Sequence, residues 1–296
     1  MRLTKAEARD LLFTLSPPHY IKSLGFKPYQ WQEDILKSGH RRKVINGARQ
    51  AGKSTIVCAK PCHVAKHYPG SVSIIAAPTE QQAFYDMEKV KAFINRDAGY
   101  PEKKRNSDRL IELENKSWIL VVPATETSAR GPSAPRLILL DEASRIEDAV
   151  YHSGILPMLN NNPECELICI STPNGQQGFF YESYGNPAWE RYEVRSPWDV
   201  IDIEFRLAEG EPEEEYRRRL AEKNIRGCYS PRHGNREEQE FLLKEMGTYM
   251  YRQENRVEFV EPKDQIFSYD EIERLRQSAA RPVAFDEIGT AEPLLL

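Results

Sequence analysis

The sequence predicts an α/β fold: a mostly parallel β-sheet flanked by helices, followed by a smaller and mainly helical part. Three observations carry that expectation. Gly47 to Ser54 satisfies the phosphate-cradling pattern G-x-x-x-x-G-K-[ST] at every fixed position. Apolar runs suited to strands buried on both faces recur at 71–77, 137–140 and 166–171. Helix-compatible stretches separate them, as crossover connections between parallel strands require.

Taken in order, residues 5–15 read as a helix broken by Ser16-Pro17-Pro18, and Tyr29 to Lys37 as a second, amphipathic one stopped by Ser38-Gly39-His40. Lys43-Val44-Ile45 is a strand entering the glycine-rich loop. From Ser54 to Lys66 the only proline is Pro61, so a helix can start directly after the loop. Ser71–Ala77 is a buried strand and Thr79 to about Arg96 a helix. Asp108–Glu114 and Ser117–Val122 form a strand pair turned at Asn115-Lys116. Leu137–Leu140 and Glu166–Ser171 are further strands. After Gly175 the texture becomes aromatic- and charge-rich, with helices expected at Pro212–Lys223, Glu237 to about Tyr251, and Gln265–Arg276. The division that follows is a core at 1–175, a small helical subdomain at 176–262, and a tail or the start of another domain at 263–296.

The 296 residues suffice for a sizeable core. No apolar run approaches a membrane span, and Met1-Arg2-Leu3-Thr4-Lys5 lacks a secretory apolar segment, so no membrane partner is expected. Cys58, Cys62, Cys165, Cys169 and Cys228 form no C-x-x-C pair, which favours reduced core thiols over a zinc site. A net charge of −4 argues against a broad basic coat for nucleic acid but leaves room for a local basic groove.

The loop chemistry is specific. Glycines let backbone wrap around an anion without a Cβ clash, and successive N–H groups with the following helix's positive end bind polyphosphate. Gly47, Arg49, Gln50, Ala51, Gly52, Lys53, Ser54 and Thr55 are therefore the expected nucleotide-binding residues, with Lys53 on the β- and γ-phosphates and the Ser54 hydroxyl on Mg²⁺. The strand 137–140 ends in Asp141-Glu142. Asp141 would hold the Mg²⁺ shell and Glu142 polarise the attacking water. Such a pair is often merely solvated, but its position downstream of a complete phosphate loop, with another strand between, favours catalysis. Ser171-Thr172-Pro173-Asn174-Gly175 closes the next strand; Ser171, Thr172 and Asn174 can sense a γ-phosphate, and Pro-Asn-Gly is equally good turn chemistry. Gln30 can read adenine through its amide with Tyr29 or Phe26 stacking nearby, or it is simply a polar residue at a helix start. Arg130, in a polar loop before the acidic strand, is a candidate for neutralising the transferring phosphoryl group, with Arg49 as a rival.

In their order, these motifs resemble the ATPase domain of the large terminase subunit of tailed bacteriophages. The loop Gly-Ala-Arg-Gln-Ala-Gly-Lys-Ser, with its arginine at 49, is similar to that family's version. Tyr29-Gln30, 23 residues before Lys53, resembles its adenine-binding element, Ala129-Arg130-Gly131 its trans-acting arginine-finger loop, and Ser171–Asn174 its coupling motif. The resemblance covers about residues 20–262 and implies a P-loop (ASCE/RecA-like) fold and a motor powered by ATP and Mg²⁺. It implies a homo-oligomeric ring around double-stranded DNA, partnered by a portal protein and a small terminase subunit, docked on a procapsid in the host cytoplasm. Large terminases usually continue into a nuclease; about 34 residues beyond position 262 are too few for one, so no DNA cleavage is expected of this chain. Two rivals are another ATP-dependent nucleic-acid translocase or helicase, which would need a second motor core, and a non-hydrolysing nucleotide-binding assembly module, against which the intact Lys53, Ser54, Asp141 and Glu142 set speaks. Basic clusters at 41–43, 103–105 and 217–219 are candidate DNA contacts, each equally readable as solvated surface.

Overall fold

The computed structural model describes residues 3–125, 134–160, 162–198, 212–232 and 235–261, with Ser54 described by its backbone alone. Helix α1 (Lys5–Leu15) opens on a capping box in which Thr4 and Glu7 satisfy each other's backbone N–H groups. Pro17 starts α2 (Pro17–Ser23), and α3 (Gln30–Lys37) follows. The sheet begins with β1 (Arg42–Gly47) and passes through the loop into α4 (Lys53–His67), which accommodates Pro61 in its interior.

Next come β2 (Val72–Ala77), α5 (Glu80–Ile94), β3 (Lys103–Asn106), β4 (Leu110–Leu113) and β5 (Trp118–Pro123). After β6 (Leu137–Asp141), the short α6 (Asp148–Val150) runs through a π-turn at Tyr151–Ile155 into α7 (Leu156–Asn160). Then follow β7 (Glu166–Ser171), α8 (Gly178–Gly185), β8 (Glu190–Arg195), α9 (Glu213–Glu222), β9 (Ile225–Tyr229) and α10 (Arg236–Glu254), which kinks at Gly247 (φ 77°).

Nine described strands form one sheet in the order β3-β4-β5-β2-β6-β7-β1-β8-β9. From β5 to β9 every pairing is parallel; β3 and β4 are antiparallel additions at one edge. The central strands alternate their side chains between two apolar layers. Ile45, Ile75, Leu139 and Ile170 pack under α3, α4 and α5, while Val44, Ile74, Leu140 and Cys169 pack under Tyr151, Ile155, Phe179 and Phe180 on the other face. Both faces are covered, which is why these strands read as unbroken apolar runs. All five cysteines are buried free thiols, and among the described residues no helix is long and apolar enough to cross a membrane.

Two expectations change. The stretch after Gly175 has its helices α8, α9 and α10, yet it also supplies β8 and β9, which extend the sheet beyond β1, and the chain up to Val260 forms one compact unit. Their sequences hide this because the charges along them are paired rather than solvated. Glu193 accepts from the Tyr216 hydroxyl at 2.7 Å, Glu190 meets Arg226 at 2.9 Å, and the Arg195 guanidinium lies 4.3 Å from the Tyr216 ring centre. The other change is β3, a short basic edge strand whose charges discourage further pairing. The helix expected at Gln265–Arg276, and all of 263–296, lies outside the described residues.

Candidate functional site

The carboxyl ends of β1, β7 and β6 lie side by side, and each delivers one predicted motif: the phosphate loop after Gly47, Ser171 at the end of β7, and Asp141 at the end of β6. This edge is where open parallel sheets bind ligands. The loop is held by backbone bonds from both sides. Ala48 N–H donates to Val194 of β8 at 2.7 Å, and Arg49 N–H to Glu254 at the end of α10 at 2.9 Å. Gln50 (φ 59°) and Gly52 (φ 100°) take left-handed backbone, turning the chain into α4. Gly52 is favoured by its left-handed φ, and a Cβ there would crowd the Gln32 amide nitrogen at 3.1 Å; one at Gly47 would stand 3.1 Å from the Lys53 side chain, which would have to shift by a few tenths of an ångström. Lys53 Nζ donates to Gly47 O at 2.7 Å and Ala48 O at 3.3 Å, folding the side chain back into the cradle. Burial pushes its ammonium pKa down, while Glu142, Asp141 and Glu254 act in the opposite sense. Ala51 is buried, and Thr55 N–H bonds Gly52 O at 3.2 Å. Arg49 reaches toward the buried Glu254 carboxylate at 3.8 Å.

Across the gap, β6 ends in Asp141 and the chain turns through Glu142, held in the left-handed region at φ 48°. For a glutamate this costs on the order of 1–3 kcal/mol, a strain found where a side chain must be aimed. Burial, then Asp86 and Glu142, raise the Asp141 pKa to about 7. Ser171 Oγ donates to Glu142 Oε2 at 3.4 Å and lies 2.8 Å from Ser144 Oγ; Ser144 in turn bonds Thr172 O at 2.8 Å, and Asn174 Nδ2 reaches Ser144 O at 3.5 Å. Ser171, Thr172 and Asn174 are thereby tied to the turn that carries Glu142. Both sequence readings of this segment, sensor and turn, fit that geometry.

The adenine element falls differently. Gln30 is exposed and bonds Asp34 at 2.8 Å, away from the loop. Gln32 occupies the inward position: its Oε1 accepts from Tyr29 N–H at 2.7 Å and its Nε2 donates to Gly52 O at 2.9 Å. The physical reason is helical phase. Gln32 shares the buried stripe of α3 with Ile35 and Leu36, whereas Gln30 lines up with Asp34. Tyr29 is half-buried at the start of α3. Phe26 has its faces engaged, stacked on Phe93 at 4.8 Å with the Arg96 guanidinium 4.5 Å from its ring centre. Arg130 and the Ser54 hydroxyl lie outside the described residues. Two of the three basic clusters are partly neutralised: Lys43 is fully buried against Glu166, Arg41 pairs with Glu164, and Arg217 and Arg218 pair with Glu213 and Glu215. In the third, Lys103 bonds Asn95, and Lys104 and Arg105 are exposed.

Sequence reasoning passed over Gln32, Ser144, Glu254, Arg232 and Asp86. Arg232, beyond β9, extends over the loop, with a guanidinium nitrogen 3.7 Å from where a Gly52 Cβ would stand. The residues fit a magnesium–triphosphate: a glycine cradle that a Cβ would crowd, an ammonium inside it, and in electrostatic reach of that ammonium the buried Asp141 carboxylate, which also interacts with the buried Asp86. Among the described residues no three His, Cys, Asp or Glu side chains could hold a metal by themselves, so a cation here would share its ligands with the nucleotide.

The chain is 24% identical to the large terminase subunit of Thermus virus P23-45, the match covering 64% of this chain and 50% of that protein. The corresponding subunit of Thermus phage G20c matches at the same identity and coverage. The chain thus spans about half the length of the curated relatives it matches. Its fold is similar to the large terminase ATPase domain of Thermus phage P74-26, with a TM-score of 0.59 over 81% of this chain and 97% of that one, at 22% identity. The model of the N-terminal part of the T4-like-virus-type terminase large subunit matches residues 44–274, and the chain therefore belongs to that family.

Proposed function

We propose that this chain is an ATPase that powers viral DNA packaging, moving double-stranded DNA into a procapsid. The observation that carries the reading is the meeting of the Lys53 cradle with Asp141 and Glu142 at one sheet edge. ATP lies along residues 47–55, and Lys53 leaves the loop carbonyls for the β- and γ-phosphates. Gln32 fixes the loop from below, and Gln30, exposed at the start of α3 beside Tyr29, is the adenine-side residue. Asp141 and the Ser54 hydroxyl would hold Mg²⁺, which would neutralise phosphate charge there. Glu142 accepts a proton from the attacking water. Its link to Ser171, Ser144 and Thr172 relays loss of the γ-phosphate to β7 and onward to the segment after 176, a two-state element biased by the nucleotide.

Copies of the chain form a ring at the portal protein in the host cytoplasm, supplied with DNA by a small terminase subunit. Arg130 of one copy completes its neighbour's site, and Arg49 acts within its own. Contacts to DNA fall on phosphates, because packaging is indifferent to sequence. Phosphate release measured with and without duplex DNA, beside a strand-separation assay, tests this reading. DNA-responsive hydrolysis without strand separation is expected; unwinding would make the chain a helicase, and no hydrolysis with bound nucleotide would make it an assembly module.

A further inference from the structure

Helix α5 places one acid where its neighbours are apolar. Ala83, Met87, Val90, Phe93 and Ile94 form the buried stripe of this helix, and Asp86 stands within it at 0% exposure. One carboxylate oxygen, Oδ1, accepts from Lys89 Nζ at 2.9 Å, one turn along the same helix. The other, Oδ2, is buried and has no basic or backbone donor among the described residues. A buried carboxylate oxygen without a hydrogen bond is costly, and a core position filled by an apolar residue would avoid the cost. Asp86 is within hydrogen-bonding reach of Asp141 and acts electrostatically on it, with Glu142 also near. Acids that repel one another at close quarters are stabilised when a cation with hydrogen-donating water enters between them.

We propose that Asp86 is a positioning residue of the magnesium–nucleotide site, accepting a hydrogen bond from a water of the cation's hydration shell while Lys89 offsets part of its charge. The proposal rests on the reading of Asp141 as the cation's protein carboxylate. Magnesium keeps several waters when it binds through one carboxylate and nucleotide phosphates, and such waters need acceptors. Partners that orient a metal's ligands typically change its affinity 10- to 100-fold when removed. Asp86 is suited to that role: it is fixed by helix packing, its free oxygen is sheltered from bulk water, and Lys89 holds the other oxygen in place.

The test is Mn²⁺ binding by electron paramagnetic resonance, using the full chain with a non-hydrolysed ATP analogue, for the wild type, Asp86→Asn and Asp86→Ser. Metal-free analogue binding and thermal melting are measured alongside. For both variants Mn²⁺ affinity in the nucleotide complex is expected to fall about tenfold, with metal-free affinity unchanged. Wild-type Mn²⁺ affinity in either folded variant overturns the proposal, as does equal weakening of binding with and without metal. If Asp86→Asn melts below the assay temperature, Asp86→Ser, with room for a water, decides alone. Absence of nucleotide-dependent Mn²⁺ binding in the wild type instead defeats the reading of Asp141 on which this rests.

Discussion

On the phosphate-loop side of the site, polar groups are tied down: Lys53 donates to two loop carbonyls, Gln32 clamps Gly52 O, and β8 and Glu254 hold the N–H groups of Ala48 and Arg49. On the acid side, Asp86 and Asp141 lie together in a buried setting that raises both pKa values, and Asp86 Oδ2 has no basic or backbone donor among the described residues. One wall is preorganised in shape; the other holds negative charge in excess of its local compensation. Such an arrangement favours an incoming species that carries a divalent cation on one side and phosphate oxygens on the other. It also makes the two walls separable by mutation, since the first should govern whether nucleotide binds and the second whether it binds with metal and reacts.

The largest effect expected from the loop wall is that of Lys53→Ala. It removes the cradle's ammonium from beside Asp141, Glu142 and Glu254. Truncating one partner of a buried charge pair across a binding interface costs about 2–5 kcal/mol, so nucleotide affinity should drop roughly 30-fold or more by calorimetry. An affinity near wild type would mean the loop wall does not depend on its lysine. Smaller, and more discriminating, is the pair Gln32→Ala and Gln30→Ala. The first leaves Tyr29 N–H without its acceptor and Gly52 O with Thr55 N–H alone, and should lower stability by about 1–3 kcal/mol in denaturant titration. The second loses an exposed bond to Asp34 and should stay within about 0.5 kcal/mol. Equal effects would erase the distinction between the two glutamines.

Smallest is a pH effect in the scaffold behind the loop. His63 on α4 is buried, donates Nε2–H to Phe13 O at 2.9 Å, and has its pKa pushed down to about 3, first by desolvation. An unfolded histidine titrates near 6.5. Between those values the unfolded chain takes up a proton that the folded one refuses, so stability falls as pH drops from about 6.5 toward 3, by about 1.4 kcal/mol per unit at most for this group. Urea titrations at pH 7 and pH 5.5 should show the loss, and His63→Gln should reduce it. An unchanged acid slope in that variant would remove His63 from the explanation, leaving His67, whose pKa burial also lowers.

The sheet's centre was legible because β2, β6 and β7 are covered on both faces and so are apolar throughout. The strands β8 and β9 were not, because Glu190, Arg191, Glu193 and Arg195 look like solvated residues until Tyr184, Tyr216, Tyr229 and Arg226 are brought to them by the fold. The phosphate loop and the acid pair were legible because their chemistry is local in sequence. Gln32 and Asp86 also left a trace, a polar residue inside a helical apolar stripe, which distinguishes Gln32 from Gln30 by phase alone. Ser144 left none: its contacts to Ser171 and Thr172 depend on the left-handed turn at Glu142.

The most direct test of the account pairs two readouts on one preparation of Glu142→Gln: equilibrium ATP binding and single-turnover phosphate release. Deleting a general base is expected to slow turnover about 10²–10⁴-fold while ATP binding stays close to wild type. Near-normal phosphate release from a folded Glu142→Gln protein would contradict the assignment of this sheet edge as a site of hydrolysis.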